Sequence, residues 1–181
     1  MFHSNTEQLI DYWRERRFGA SAPSRADIDP ADFSPVLPQV FILGRRGFGE
    51  YGFRLTGGFV ADLHGRELRD ENLVNLWAPE DRAPLQMALE TIRRRVEPLV
   101  VDCDASAETG PGLRLEMMFA PLTGQDGEPD RMLGLYQPKT PAAALMGRTV
   151  QTLSIRAILA GGAGQTLPRL RLAAVNGRRI A

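Results

Sequence analysis

One amphipathic helix, followed by three alternating segments joined by short turn-rich loops, limits what this 181-residue chain can fold into. Over residues 81–97, Leu85, Ala88, Leu89, Ile92 and Val96 fall at helical spacing and lay one apolar stripe along a helix. Arg93, Arg94 and Arg95 lie mostly off it. Pro79 suits an early helical position, Glu80 and Asp81 put negative charge at the positive end of the helix dipole, and Pro98 stops it. Beyond it, Leu99, Val101 and Cys103 alternate with Val100, Asp102 and Asp104. Leu113, Leu115, Met117 and Phe119 alternate with Arg114, Glu116 and Met118, and Leu133 and Leu135 with Met132, Gly134 and Tyr136. A period of two is the strand period, and glycine- and proline-bearing loops at 108–112 and 123–130 make the neighbours antiparallel.

Upstream, residues 39–55 read as a hairpin turning over 44–49, and Gly57-Gly58 opens a short helical piece reaching Leu63. Residues 4–18 read as an amphipathic helix with Leu9, Ile10 and Trp13 on one face, and Ser4 with Glu7 fits a capping box. Residues 19–38 carry four prolines and read as a linker with one short turn at 29–33. Two strands, helices, then three strands define an α+β domain, helices on one face of an antiparallel sheet. The expected divisions are an N-terminal helix and linker at 1–38, the domain at 39–138 and an extension at 139–181. Within that extension, 149–159 reads as a short helix or strand and 167–174 as a weak strand.

Composition excludes several classes. The chain is 43% hydrophobic and 24% charged, as expected of a globular protein. Cys103 is the only cysteine, which removes an intramolecular disulfide and any multi-cysteine metal centre. No run nears the roughly 18 apolar residues of a membrane span, and the start lacks a secretory layout, so a cytoplasmic protein is expected. The zero net charge hides an asymmetry: residues 1–138 hold 15 basic against 22 acidic groups. The extension holds Lys139, Arg148, Arg156, Arg169, Arg171, Arg178 and Arg179 and no acid. A basic extension beside an acidic domain reaches for an acidic partner or folds back onto its own domain. It contains no Phe, Trp or Tyr to stack on bases, so specific nucleic-acid reading is not expected.

The element order and local motifs resemble a PAS sensory domain. Gly65-Arg66-Glu67-Leu68, then Leu76-Trp77-Ala78-Pro79-Glu80-Asp81-Arg82, is similar to the PAS turn that precedes the long helix and the Pro-x-Asp-Arg that starts it. Leu9-Ile10-Asp11-Tyr12-Trp13 and Leu37-Pro38-Gln39-Val40-Phe41-Ile42 resemble the small stand-alone bacterial PAS proteins of alphaproteobacterial type. The resemblance covers about residues 5–138. It implies a five-stranded antiparallel sheet, with any ligand held between the sheet's inner face and the helices. It also implies a sensory or regulatory role in bacterial signal transduction through a small ligand or a protein partner. The fold does not name the ligand.

Cys103 invites comparison with light-sensing PAS domains, whose flavin-attacking cysteine sits in an Asn-Cys-Arg-Phe-like motif on a helix. Here it stands between Asp102 and Asp104 on a strand, where carboxylates raise a thiol pKa, so it reads as structural. Haem-binding relatives use a histidine on the long helix, and that helix has none; His64 precedes it and His3 is N-terminal. Flavin and haem are therefore not expected, and the cofactor stays undetermined. Asp102 and Asp104 share a strand face and read as solvated rather than cation-binding. There is no nucleophile elbow, phosphate-binding glycine loop or histidine cluster, so no enzyme is expected. Arg54, Arg66, Trp77 and Tyr136 are the polar and aromatic candidates for a pocket, with Leu89, Ile92, Met117, Phe119 and Leu135 as its walls. Leu9, Ile10 and Trp13 are the candidate surface for homo-oligomerisation. The alternative reading is an adaptor with a packed, ligand-free core that binds partners through its basic extension.

Overall fold

A computed structural model describes residues 1–161; the strand expected at 167–174 and Arg169, Arg171, Arg178 and Arg179 lie outside the described residues. The elements are α1 (Ser4–Glu15), β1 (Val40–Gly47), β2 (Glu50–Thr56), α2 (Gly58–His64), α3 (Pro79–Arg95), β3 (Leu99–Ser106), β4 (Leu113–Leu122), β5 (Arg131–Pro138) and β6 (Thr152–Ala160). They build one sheet in the order β2-β1-β5-β4-β3-β6, every neighbouring pair antiparallel. This is the expected α+β architecture with one strand more. The sixth strand comes from the extension and pairs with β3 along its whole length, so the sheet runs on past Pro138.

Strand alternation sorts the core into two layers. Leu99, Val101, Cys103, Leu113, Leu115, Met117, Phe119, Met132 and Tyr136 face inward, where α2 and α3 cover them. Val40, Ile42, Val100, Met118, Ala120, Leu122, Leu133 and Leu135 face the other way. That outer layer is closed by α1, whose Leu9, Ile10 and Trp13 are 1%, 2% and 0% exposed. The stripe expected to carry self-association is therefore spent on the chain's own sheet. Trp13 Nε1 donates to the Pro121 carbonyl at 2.7 Å and Arg14 Nη2 to the Gly161 carbonyl at 2.5 Å, tying the far end of α1 down.

Two further details differ from the sequence reading. His3, not Ser4, caps α1: its Nδ1 accepts from the Asn5 N–H at 3.2 Å, while the Glu7 carboxylate accepts from the Phe2 N–H. Residues 19–38 are no loose linker. They form 3-10 turns at Arg25–Asp27 and Pro30–Gln39 and bury Ala22, Ile28, Phe33 and Val36 in the outer layer. Prolines forbid a long α-helix but not these short turns.

Both edges of the sheet are partly closed, which limits strand addition. On β2, Tyr51 N–H donates to Asn72 Oδ1, Phe53 N–H to the Glu71 carbonyl, and the Phe53 carbonyl accepts from Asp70 N–H. On β6, the Leu153 carbonyl accepts from Ala78 N–H, and Ile155 N–H donates to Asp81 Oδ2 at 2.7 Å. Asp81 thus ties the start of α3 to the edge strand.

Candidate functional site

The candidate site is the inner face between the sheet and α2 and α3. Its centre is set by Gly134 on β5, which pairs with Phe41 on β1 and Phe119 on β4. A Cβ on Gly134 would stand 2.0 Å from Phe41 Cζ, so only glycine leaves room for that ring above the strand. Phe41 then meets Phe119 at 5.7 Å, Phe53 at 5.7 Å and Tyr136 at 5.4 Å, all edge to face. Edge-to-face rings gain about 0.5–1.5 kcal/mol each beyond their burial. Four aromatic side chains from four strands thereby occupy the middle of the inner face.

Polar atoms are sparse there. His64, the last residue of α2, is 4% exposed, and its Nε2 lies 3.2 Å from the Tyr136 hydroxyl. Burial, then the nearby Arg66 guanidinium, lowers the imidazole pKa to about 4 against a hydrogen bond with the Val150 backbone. His64 is therefore a neutral, bonded core histidine. The Tyr136 hydroxyl is pushed well up by burial. Trp77 is 1% exposed, and its indole N–H has no acceptor among the described residues. Burial, followed by Asp102 and Asp104, raises the Cys103 thiol, which keeps it protonated and unreactive.

Of the expected pocket residues, Trp77, Leu89, Ile92, Met117, Phe119 and Tyr136 do come together in this layer. Leu135 does not. It is adjacent in sequence to Tyr136, and neighbouring residues on a strand point to opposite faces, so Leu135 packs beneath α1. Arg54 and Arg66 stand on the surface. Arg54 lies 3.8 Å from Asp70 beside a cleft of about 140 Å³ that includes Leu55, Thr56, Glu67 and Arg69, while Arg66 pairs with Glu71. A larger cleft of about 420 Å³ opens against β2, lined by polar groups including Glu50, Asn72 and Asn75.

The sequence reading missed Glu90. Its carboxylate is buried beside the inner layer and receives Arg45 Nε at 2.9 Å, the Tyr51 hydroxyl at 2.9 Å and Arg93 Nε at 3.1 Å. Burial would raise its pKa, but these donors and the Gly49 N–H outweigh it and hold the group at about 2. The network clamps the β1–β2 hairpin onto α3. Helical spacing offered Arg93 as a partner, but Arg45 and Tyr51 arrive from strands far away in sequence.

Asp102 and Asp104 are not an open cation site. Arg114 reaches Asp102 at 2.7 Å, Arg156 reaches Asp104 at 3.0 Å, and Lys139 lies 3.7 Å from Asp102 and 3.8 Å from the buried Glu116. Two cations of the extension are thus folded back onto the domain's own acids, and Arg148 bonds the Leu145 carbonyl. Among the described residues there is no cluster of three or more metal-ligating side chains, and no helix is long and apolar enough to cross a membrane.

The PAS domain family model matches residues 1–137, and the chain belongs to the PAS domain family. No curated protein matches it. Among solved structures it is similar to the LOV protein of Rhodobacter sphaeroides, with 12% identity and a TM-score of 0.47 over 65% of this chain and 72% of that one. The dark structure of the blue-light photoreceptor Aureochrome1 LOV is similar at 12% identity and a TM-score of 0.48, over 72% and 94% of the two chains.

Proposed function

We propose that this chain is a PAS regulatory module of bacterial signal transduction. It acts by binding a protein partner, and its interior is filled by its own side chains. One observation carries the reading: the Phe41 ring lies over Gly134 and meets Phe53, Phe119 and Tyr136, in the space where the resemblance places a PAS ligand. A ligand there must displace four packed rings, whereas a protein partner needs only a surface. Lys139 and Arg156 pair with the domain's own acids, so a charge-led contact of the extension would draw on its other cations, Arg148, Arg169, Arg171, Arg178 and Arg179.

Native mass spectrometry of the full chain, before and after denaturation and with an absorbance scan, tests this. The expected result is the bare protein mass and no visible absorbance. A co-purifying mass lost on denaturation, or visible absorbance, overturns the self-filled interior and makes the protein a ligand sensor.

A further inference from the structure

The outward face of α3 is left over once the inner layer is packed. Glu80, Ala83, Pro84, Met87 and Arg94 are exposed on it, Met87 by 49%, with Thr91 half-buried. Positions 80, 83 or 84, 87, 91 and 94 repeat every three or four residues, the spacing of a helix–helix seam. The seam is uncharged along its middle and charged at its ends, Glu80 at one and Arg94 at the other. Neither end has an ion-pair partner among the described residues, and Arg94 donates only to the Glu90 carbonyl of its own helix.

The pattern is symmetric about Met87. Residues 80 and 94 lie equally far from it, as do 83 and 91. A two-fold axis through Met87 would lay α3 antiparallel on a second α3. Glu80 would then meet Arg94 of the second copy, twice over, and Ala83 would meet Thr91. A two-fold interface must be complementary to itself, and few helix faces are. The seam spans about 21 Å at 1.5 Å per residue. Phe48, 62% exposed at the hairpin tip, flanks it, because Gly49 is bonded to Gln86 and Glu90.

We infer that α3 is the homodimer helix of this protein, a second copy covering the Glu80–Arg94 face with antiparallel charge pairing at both ends. The inference is independent of the partner-binding reading and replaces α1 as the self-association surface.

Charge reversal tests it by sedimentation equilibrium of the full chain at low salt, where exposed charges are least screened. The parent chain is expected to dimerise reversibly, and Met87→Asp to leave only monomer. Glu80→Arg and Arg94→Glu should each weaken dimerisation by roughly tenfold or more, because like charges then face each other at both ends. Mixing those two variants should restore a heterodimer, since every facing pair becomes opposite in sign. Thermal melts by circular dichroism check that each variant is folded. A parent chain that stays monomeric overturns the inference. So does a dimer indifferent to Met87→Asp, or a pair of charge variants that fail to rescue each other.

Discussion

The two faces of the sheet are built from the same strands and differ in what closes them. The inner face is closed by α2 and α3, which follow directly from β2, and its centre is aromatic: Phe41, Phe53, Phe119 and Tyr136 around Gly134. The outer face is closed by α1 and the 3-10 turns that precede β1, and it is mostly aliphatic, with Trp13 and Phe33 as its buried aromatic rings. Charge follows the same division. Among the described residues the inner side buries one carboxylate, Glu90, satisfied at hydrogen-bond distance from three side chains. The outer side holds Asp102 and Glu116 opposite one another: Arg114 bonds Asp102 at 2.7 Å, the His3 N–H bonds Glu116 at 2.9 Å, and Lys139 stands between the two at 3.7 and 3.8 Å. The inner face is thus closed by fitted rings around a buried ion cluster, and the outer by an N-terminal layer whose charge contacts are part-exposed.

Phe41→Ala should show the largest effect. It removes the ring that touches all three other aromatics, at a cost of about 3–5 kcal/mol in urea unfolding. The void is apolar, so a small aromatic solute should raise the melting temperature of the variant and not of the parent. If the variant loses less than about 1 kcal/mol, the rings repack and the inner face is softer than its geometry says.

Acid should act on the inner face in two stages. His64 has its pKa lowered from 6.5 to about 4, so the unfolded chain binds the extra proton and stability falls as pH drops from 6.5 towards 4. Glu90 is lowered from 4.5 to about 2: its contribution is present above 4.5 and is lost as pH falls towards 2. Glu90→Gln should cost on the order of 2 kcal/mol at neutral pH, because Arg45 and Arg93 lose their shared anion. The same variant should flatten the lower stage of the pH profile and leave the upper one, which urea midpoints from pH 7 to 2 will show. His64→Phe should do the reverse.

Much of this division was legible in the sequence because period-two alternation already separates the layers. Met117 and Phe119 declare one face, Met118 the other. Overlooking the same rule put Leu135 beside Tyr136 in a pocket that two successive residues cannot share. The identity of β6 was hidden for a different reason. Its register shifts between Ile155 and Ala157 opposite Cys103 and Asp102, so its buried residues fall at 153, 155 and 158 and break the strand period. A helix and a strand fit that spacing equally well. The stripe of α1 was plain, but an amphipathic face does not say whether it meets its own sheet or another chain. The Gly134 cradle and the Glu90 clamp were out of reach, since each joins residues brought together only by strand pairing or by packing across the sheet.

Trp13→Phe probes the outer face with a smaller change. It keeps most of the apolar volume against the sheet and removes the indole N–H, leaving the buried Pro121 carbonyl without that 2.7 Å bond. An unsatisfied buried acceptor costs about 1–3 kcal/mol, here placed near the lower end because carbonyl oxygens tolerate it better than N–H groups. Hydrogen exchange should quicken along α1 while β4 and β5 stay protected. Uniform acceleration across the sheet would mean that α1 unfolds only with the whole domain.

Lys139→Met is the smallest effect and the sharpest test of the charge comparison. Lys139, the chain's only lysine, stands between Asp102 and Glu116, which face each other across β3 and β4. Two like charges directly opposite on a sheet repel, and the lysine offsets that repulsion from a part-exposed position. Glu116 also accepts the His3 N–H at 2.9 Å, just before α1 begins, so its charge helps to hold the start of that helix. Exposure and the 3.7–3.8 Å separations limit the lysine's contribution to about 1 kcal/mol or less. The loss should shrink further in added salt, and exchange should quicken in the first turn of α1 alone. A loss as large as that of Glu90→Gln would mean that the outer face is clamped by charge as firmly as the inner, and that α1 is no more detachable than α3.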